Sequence, residues 1–205
     1  MPRILLGCEE SGIVRDEFAA LGWDAWSCDL LPSRRIGKHI QADILTVLDD
    51  GWDMAIFFTP CTFLSNSGVK HLYIGGQKKN GLYLPRWEKM RRDAELFKAC
   101  MNAPIPLIAN ENPIPHKYAL EIIGRKYDQI VQPWMFGHPE TKATCLWLKG
   151  LPPLVETDNV KEIMQTLPEN KKHRVHHMSP SETRQRDRAT TYLGIAKAMT
   201  QWSNL

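Results

Sequence analysis

A chain of 205 residues, 43% hydrophobic and 24% charged, has the composition of an ordinary globular protein with one substantial core, which excludes a disordered or fibrous chain and makes a single domain over 1–205 the default. No stretch approaches the about 18 apolar residues that span a bilayer, and the apolar run in the opening MPRILLGCEE is too short for a signal-peptide core, so a soluble, cytoplasmic protein with no membrane partner is expected. The net charge of +3 does not by itself announce a polyanionic partner, and five scattered cysteines without a CxxC pair argue against a disulfide framework or a zinc cage.

In chain order, residues 3–7 form a short apolar run ending in glycine. Ser11-Gly12 follows, then Ile13, Val14, Phe18 and Leu21 at helical spacing, which reads as strand, turn, helix. Gly22 closes that helix, residues 24–28 read as a second strand, and Asp29 stands at its carboxyl end. Asp43 opens a short apolar stretch, and residues 53–58 are a continuous apolar run of the kind buried on both faces of a sheet, stopping at Thr59-Pro60-Cys61.

Residues 65–85, rich in Gly, Ser, Asn and Lys, are too long for a plain connection and predict a mobile, function-bearing loop. Apolar residues at Trp87, Met90, Ala94, Phe97 and Cys100 predict a helix over 85–100, with Pro85 near its start. Residues 106–109 read as a buried strand ending at Asn110-Glu111-Asn112-Pro113. A helix near 116–124 and strands near 128–132 and 144–148 complete an alternation that implies a mainly parallel sheet with helices on both faces.

Residues 150–178 look irregular. Ser179-Pro180-Ser181-Glu182 reads as a capping box opening a C-terminal helix, which Gly194 is expected to bend or divide. Two segments are locally basic, 78–92 and 171–188, and either would suit phosphate as well as it would suit a solvated face. His173, His176 and His177 cluster without HExxH or Cys-His spacing, so no metal is expected. The seven tryptophans read as packing residues, with Trp87, beside basic residues, a candidate base-stacking platform.

In open parallel sheets ligands bind outside the carboxyl ends of the strands, where the notable polar residues of this chain fall. A glycine turn after the first strand and a carboxylate after the second, able to accept from two ribose hydroxyls, imply a nucleoside-containing cofactor. The order of these pieces resembles the cytosine C5 DNA methyltransferase family. The signature Pro-Cys matches Thr59-Pro60-Cys61 with Ser65 following, the Glu-Asn motif matches Glu111-Asn112-Pro113, and the Phe-Gly-x-Pro motif matches Phe136-Gly137-His138-Pro139. The resemblance covers about residues 3–150 and implies a Rossmann-like S-adenosylmethionine-dependent methyltransferase fold.

It also implies roles. Cys61 would add to carbon 6 of cytosine, because carbon 5 alone is too poor a nucleophile to take a methyl group, and Glu111 would stabilise the charge arriving at N3. Asn112 would orient the Glu111 loop. Gly7, Cys8, Glu9, Ser11, Gly12, Asp29, Leu30, Asp43, Ile44 and Pro60 would hold S-adenosylmethionine, and Ser65, Lys142, Arg91 and Arg92 would contact DNA or a cytosine nucleotide.

Three departures from the family's pattern stand out. Glu9 occupies a glycine position, Glu140-Thr-Lys142-Ala-Thr144 replaces a Gln-x-Arg-x-Arg pattern, and about thirty residues (150–178) stand where a large target-recognition region is expected. They leave open a free nucleotide as substrate, a different one-carbon donor, or a catalytically inactive nucleic-acid-binding relative. The oligomeric state is equally open, a homodimer included.

Overall fold

The computed structural model describes residues 1–179, 181 and 183–205. Seven strands form one sheet: β1 (Arg3–Gly7), β2 (Asp24–Asp29), β3 (His39–Gln41), β4 (Met54–Phe57), β5 (Leu107–Pro113), β6 (Gln129–Val131) and β7 (Thr144–Lys149), in the order β3-β2-β1-β4-β5-β7-β6. The five strands from β3 to β5 run parallel, and β7 is antiparallel to both β5 and β6. The chain is thus a mixed α/β protein with a mainly parallel sheet.

Helices cover both faces. Residues alternate along β1, so Ile4 and Leu6 pack with Val14 and Phe18 of α1 (Ile13–Ala20) and with Ile195 and Met199 of α8 (Leu193–Met199), while Leu5 faces the other side with Ala55, Phe57 and Cys100. Cys100 belongs to α2 (Leu84–Met101), whose Met90, Ala94 and Phe97 pack with Ala119 and Ile123 of α3 (Lys117–Ile123) and with Trp147 of β7. Each such side chain taken wholly out of water contributes about 1.5–3 kcal/mol. Pro85 sits in the first turn of α2, where its missing N–H costs nothing.

The structure corrects several expected boundaries. Asn110-Glu111-Asn112-Pro113 lies within β5 rather than after it, because β7 extends the ladder by pairing Glu111 with Leu146 and Pro113 with Thr144. The short edge strand β3 carries too little apolar pattern to be read from sequence. Residues 65–85 are a folded excursion of 3-10 turns closed by a bridge between Tyr73 and Leu82. The stretch expected to be irregular holds three short helices, α4 (Lys161–Thr166), α5 (Glu169–Lys172) and α6 (Arg174–His177).

The C-terminal helix is two helices, α7 (Arg184–Ala189) and α8, and the break precedes Gly194. Gly194 lies in the first turn of α8, pressed on the Phe136 carbonyl so closely that any side chain would collide with it. Pro180 and Glu182 of the expected capping box lie outside the described residues. Among the described residues, no helix is long and apolar enough to cross a membrane.

From β1 the chain winds outward through β2 to β3, then returns to lay β4 on the other side of β1. Loops leaving the carboxyl ends of β1 and β4 therefore diverge to opposite faces, opening a crevice at the switch point where ligands of doubly wound sheets bind.

Candidate active site

On β5, Ile108, Asn110 and Asn112 face the α2 and α3 side, whereas Ala109 and Glu111 face the side of α1 and α8. Asn110 and Asn112 are buried and clasp Thr59. The Thr59 hydroxyl donates to Asn110 Oδ1 (3.0 Å), and Asn112 Nδ2 donates to the Thr59 carbonyl (3.1 Å) and hydroxyl (3.3 Å). These bonds fix the start of the Pro60-Cys61 loop to the strand that carries Glu111.

Beyond Cys61 the chain turns tightly. The Cys61 carbonyl accepts from Leu64 N (3.1 Å) and Ser65 N (3.0 Å), and His116 bonds the Phe63 carbonyl (2.9 Å). Asn112, expected to orient the segment that presents Glu111, holds Thr59, which leads into Cys61. Ser65 lies one turn past the thiol, its hydroxyl 2.9 Å from that of Ser67.

Cys61 and Glu111 sit within electrostatic reach of each other. Burial pushes the Cys61 thiol up, the Glu111 carboxylate pushes it further, and Lys142 and Arg188 oppose the rise. Burial also raises the Glu111 carboxyl, opposed by Lys142 and by a hydrogen bond from Thr144. A thiol, a carboxyl that tends to keep its proton and two cations thus gather where β4 and β5 end. Lys142 was foreseen; Arg188 arrives from α7, 127 positions beyond Cys61.

The edge formed by β1 and β2 is more closed. Glu9 turns inward, where its Oε1 accepts from the Ser11 hydroxyl and from Ile13 N (3.1 Å), capping α1. Its Oε2 is buried with no hydrogen-bond partner, and burial raises the carboxyl. Gly12 holds φ 72°, the left-handed entry to α1 that a side chain resists. A side chain on Gly7 would run into Phe57 and Ile44.

Cys8 also has positive φ (58°), and burial with nearby Cys100, Asp29, Cys28 and Asp43 pushes its thiol well up. Asp29 is half-buried, raised by that burial, and accepts from Leu31 N (2.9 Å), while Leu30 beside it is exposed. Asp43 accepts from Leu45 N (3.0 Å), Ile44 is buried in the core, and Pro60 is exposed at the crevice rim.

A strap from the C-terminal segment crosses this edge. Arg186 of α7 pairs with Glu10 through Nε (2.9 Å) and Nη2 (2.6 Å), and Arg34 joins the same carboxylate. Glu140, at the position of an expected Gln, takes Arg174 Nε (2.8 Å) and the Tyr192 hydroxyl (2.6 Å), and His138 accepts from Gly194 N (2.9 Å).

Not every expected contact lies here. Arg91 stacks on Trp87 and Arg92 bonds its neighbour Asp93, so the contacts of both remain on α2. Trp87 donates to the Leu72 carbonyl (2.8 Å) and packs on Tyr118, a structural post. Two surface cavities, of about 410 and 440 Å³, flank α1 and the C-terminal turn and include neither Cys61 nor Glu111. Among the described residues no three His, Cys, Asp or Glu form a metal cluster.

No protein-family model and no curated protein matches the chain. Solved structures are similar at low identity. A protein of E. coli described as a putative DNA modification methyltransferase encoded within a prophage is 15% identical, with TM-score 0.43, over 82% of this chain and 56% of that one. The Entamoeba histolytica methyltransferase EhMeth is 12% identical, with TM-score 0.45, over 78% of this chain and 57% of that one. A mutant of Spodoptera frugiperda DNMT2 is 11% identical, with TM-score 0.41, over 78% and 54%. The chain thus spans a little over half the length of each.

Sequence reasoning missed Thr59, Asn110, Thr144 and Arg188 as site residues. Asn110 and Asn112, two apart on one strand, share a face, and that spacing was available once β5 was known to continue past Ala109. Arg188 carried only the signal of its basic segment.

Proposed function

We propose that the chain transfers a methyl group from S-adenosylmethionine to carbon 5 of cytosine in DNA, through a covalent adduct on Cys61. The observation that carries this reading is that Cys61, just past β4, Glu111 on β5 and Lys142 lie within electrostatic reach of one another beside the switch point. The β1 and β2 edge fits the cofactor. The buried, unpartnered Oε2 of Glu9 suits a cationic group, and the Asp29 carboxylate suits a ribose. Gly7, Cys8, Ser11, Gly12, Leu30, Asp43, Ile44 and Pro60 would complete the cofactor site.

When bound, S-adenosylmethionine supplies an electrophilic methyl group that carbon 5 accepts only once the ring is activated. Cys61 performs the activation. Its sulfur, after giving its proton to water, bonds to carbon 6; the C5–C6 pair shifts into the C4–C5 bond and the C4–N3 pair moves onto N3, so that carbon 5 becomes a nucleophilic enamine carbon. Glu111, whose burial favours the protonated acid, donates to N3 and holds that pair. Lys142 and Arg188 favour the thiolate against burial. Once carbon 5 carries the methyl group, a water molecule acting as base takes its proton, the C–H pair re-forms the C5–C6 double bond, and the S–C6 pair leaves with the Cys61 thiolate.

Cytosine modification on a free nucleotide is a second reading. It is favoured by the 150–178 stretch, where short helices stand and no separate recognition unit does. Labelled S-adenosylmethionine offered with duplex DNA, single-stranded DNA and cytidine monophosphate separates the two by which product carries label. No label in any product, and no covalent adduct with 5-fluorocytosine DNA, would overturn the assignment.

A further inference from the structure

The excursion that follows Cys61 is a basic surface with lysines at its tip and apolar residues at its base, and most of its charge is unpaired among the described residues. Residues 54–92 hold seven Lys or Arg against the single acid Glu88, and no acidic residue occurs between Asp53 and Glu88. Among the described residues, Lys70, Lys78, Lys79, Arg86 and Lys89 form no ion pair, whereas cations elsewhere, such as Arg34, Lys38, Arg174 and Arg186, do.

The shape gives that charge a direction. The bridge between Tyr73 and Leu82 closes a narrow loop whose outer turn carries Lys78 and Lys79, both exposed. At its base Ile74 (51% exposed), Leu82 (47%), Tyr83 (50%) and Leu84 (62%) stand open to solvent together. Exposed apolar groups clustered this way mark a surface that meets something. Arg86 and Lys89, one turn apart on α2, lie over the Phe63 ring, and Arg86 also donates to the Thr62 carbonyl (3.2 Å). The surface is therefore continuous with the Cys61 turn.

We infer that the loop closed by Tyr73 and Leu82, with the start of α2, is the docking surface for a DNA strand carrying an unpaired base, and that it does the work of a separate recognition unit. This rests on the proposed function above. Unneutralised lysines at the tip complement phosphates. A base that enters a reaction pocket must leave its stack, and a ring such as Tyr83 flanked by leucine and isoleucine gives the neighbouring bases a replacement surface.

The test measures binding without chemistry, on the full chain with no cofactor added, so a failure of methyl transfer and a failure of docking remain distinct. Fluorescent single-stranded DNA and RNA of one sequence, and the DNA duplex, are titrated against the wild type, K78Q/K79Q, Tyr83→Ala and K98Q/K126Q. The last removes equal charge at the amino end of the sheet. Binding should weaken by about tenfold in K78Q/K79Q at low salt, and its log–log salt slope should fall by about 2, while K98Q/K126Q changes little. Tyr83→Ala should weaken single strands more than duplex, with Tyr83→Phe restoring binding.

A loss on DNA at least as great as that on RNA supports the assignment, and a loss confined to RNA overturns it. Equal loss in the two lysine pairs, or none in K78Q/K79Q with folded protein by circular dichroism, overturns it.

Discussion

Two parts of the carboxyl edge are held in opposite ways. Around Cys61 the ties are neutral, short-range in space and buried: Thr59, just past β4, bonds both Asn110 and Asn112 of β5. Over the crevice, α7 is held by charge, with Arg186 and Arg34 converging on Glu10 from 176 and 24 residues away, and the Arg186 side chain is 46% exposed. Buried hydrogen bonds between neutral groups are insensitive to salt and costly to leave half-made, whereas half-exposed ion pairs are screened and individually weak. The edge therefore combines a rigid seat for the reacting groups with a releasable cover.

The rigid seat makes the strongest demands. Cys61→Ala should abolish turnover, a loss on the order of 10⁴-fold or more, while leaving Tm within a few degrees, since among the described residues the thiol bonds only its own backbone N–H. Single-turnover transfer of label measures it, and residual turnover above a hundredth of wild type removes Cys61 from the chemistry.

Glu111→Gln should lose on the order of 10²–10³ in rate and should also gain stability at high pH. Burial raises the Glu111 carboxyl in the folded state, so the folded protein holds that proton more tightly than the unfolded chain. Stability from this group is fully present below the ordinary value of 4.5 and is lost as pH climbs through the raised folded value. Gln cannot ionise, so thermal melts from pH 4 to 8 should show a shallower decline in the variant. An identical decline means that Glu111 ionises in the folded chain as it does in the unfolded one.

Thr59→Val tests whether the seat acts through position. Removing the hydroxyl leaves Asn110 Oδ1 buried without its donor, at a cost of about 1–3 kcal/mol. A displaced thiol should cost up to about 10²-fold in rate. Thr59→Ser should restore both, and a variant that loses stability with unchanged turnover confines the residue to folding.

How much of this was legible in the sequence follows from which interactions are local. The alternation of strand and helix, the Cys61 turn and the start of α2 at Pro85 depend on nearby residues and were readable. The extension of β5 through Pro113 was not, since Asn-Glu-Asn-Pro reads as a turn until an antiparallel partner, Thr144 to Trp147, claims its backbone. Glu9 looked anomalous in a glycine turn; folded, it caps α1 with one oxygen, a role no spacing rule announces. Arg188 and the clasp at Glu10 depend on the path of the whole chain.

The cover over the crevice should show the smallest effect and the greatest sensitivity to conditions. Arg186 and Arg34 hold the Glu10 carboxyl below its ordinary value of 4.5, so the clasp stabilises the fold above that value and is lost as pH falls through the lower folded one. Glu10→Gln keeps the shape and removes the charge. Amide exchange over 184–190 should speed up several-fold in this variant, and in the wild type at molar salt, with the Thr59 region unchanged in both. Because α7 also carries Arg188, its release should raise the apparent pKa for Cys61 alkylation by a small increment, in the direction expected when a cation leaves a thiolate. Faster exchange without a change in the alkylation profile would separate the cover from the thiol, leaving Lys142 to oppose the burial of Cys61.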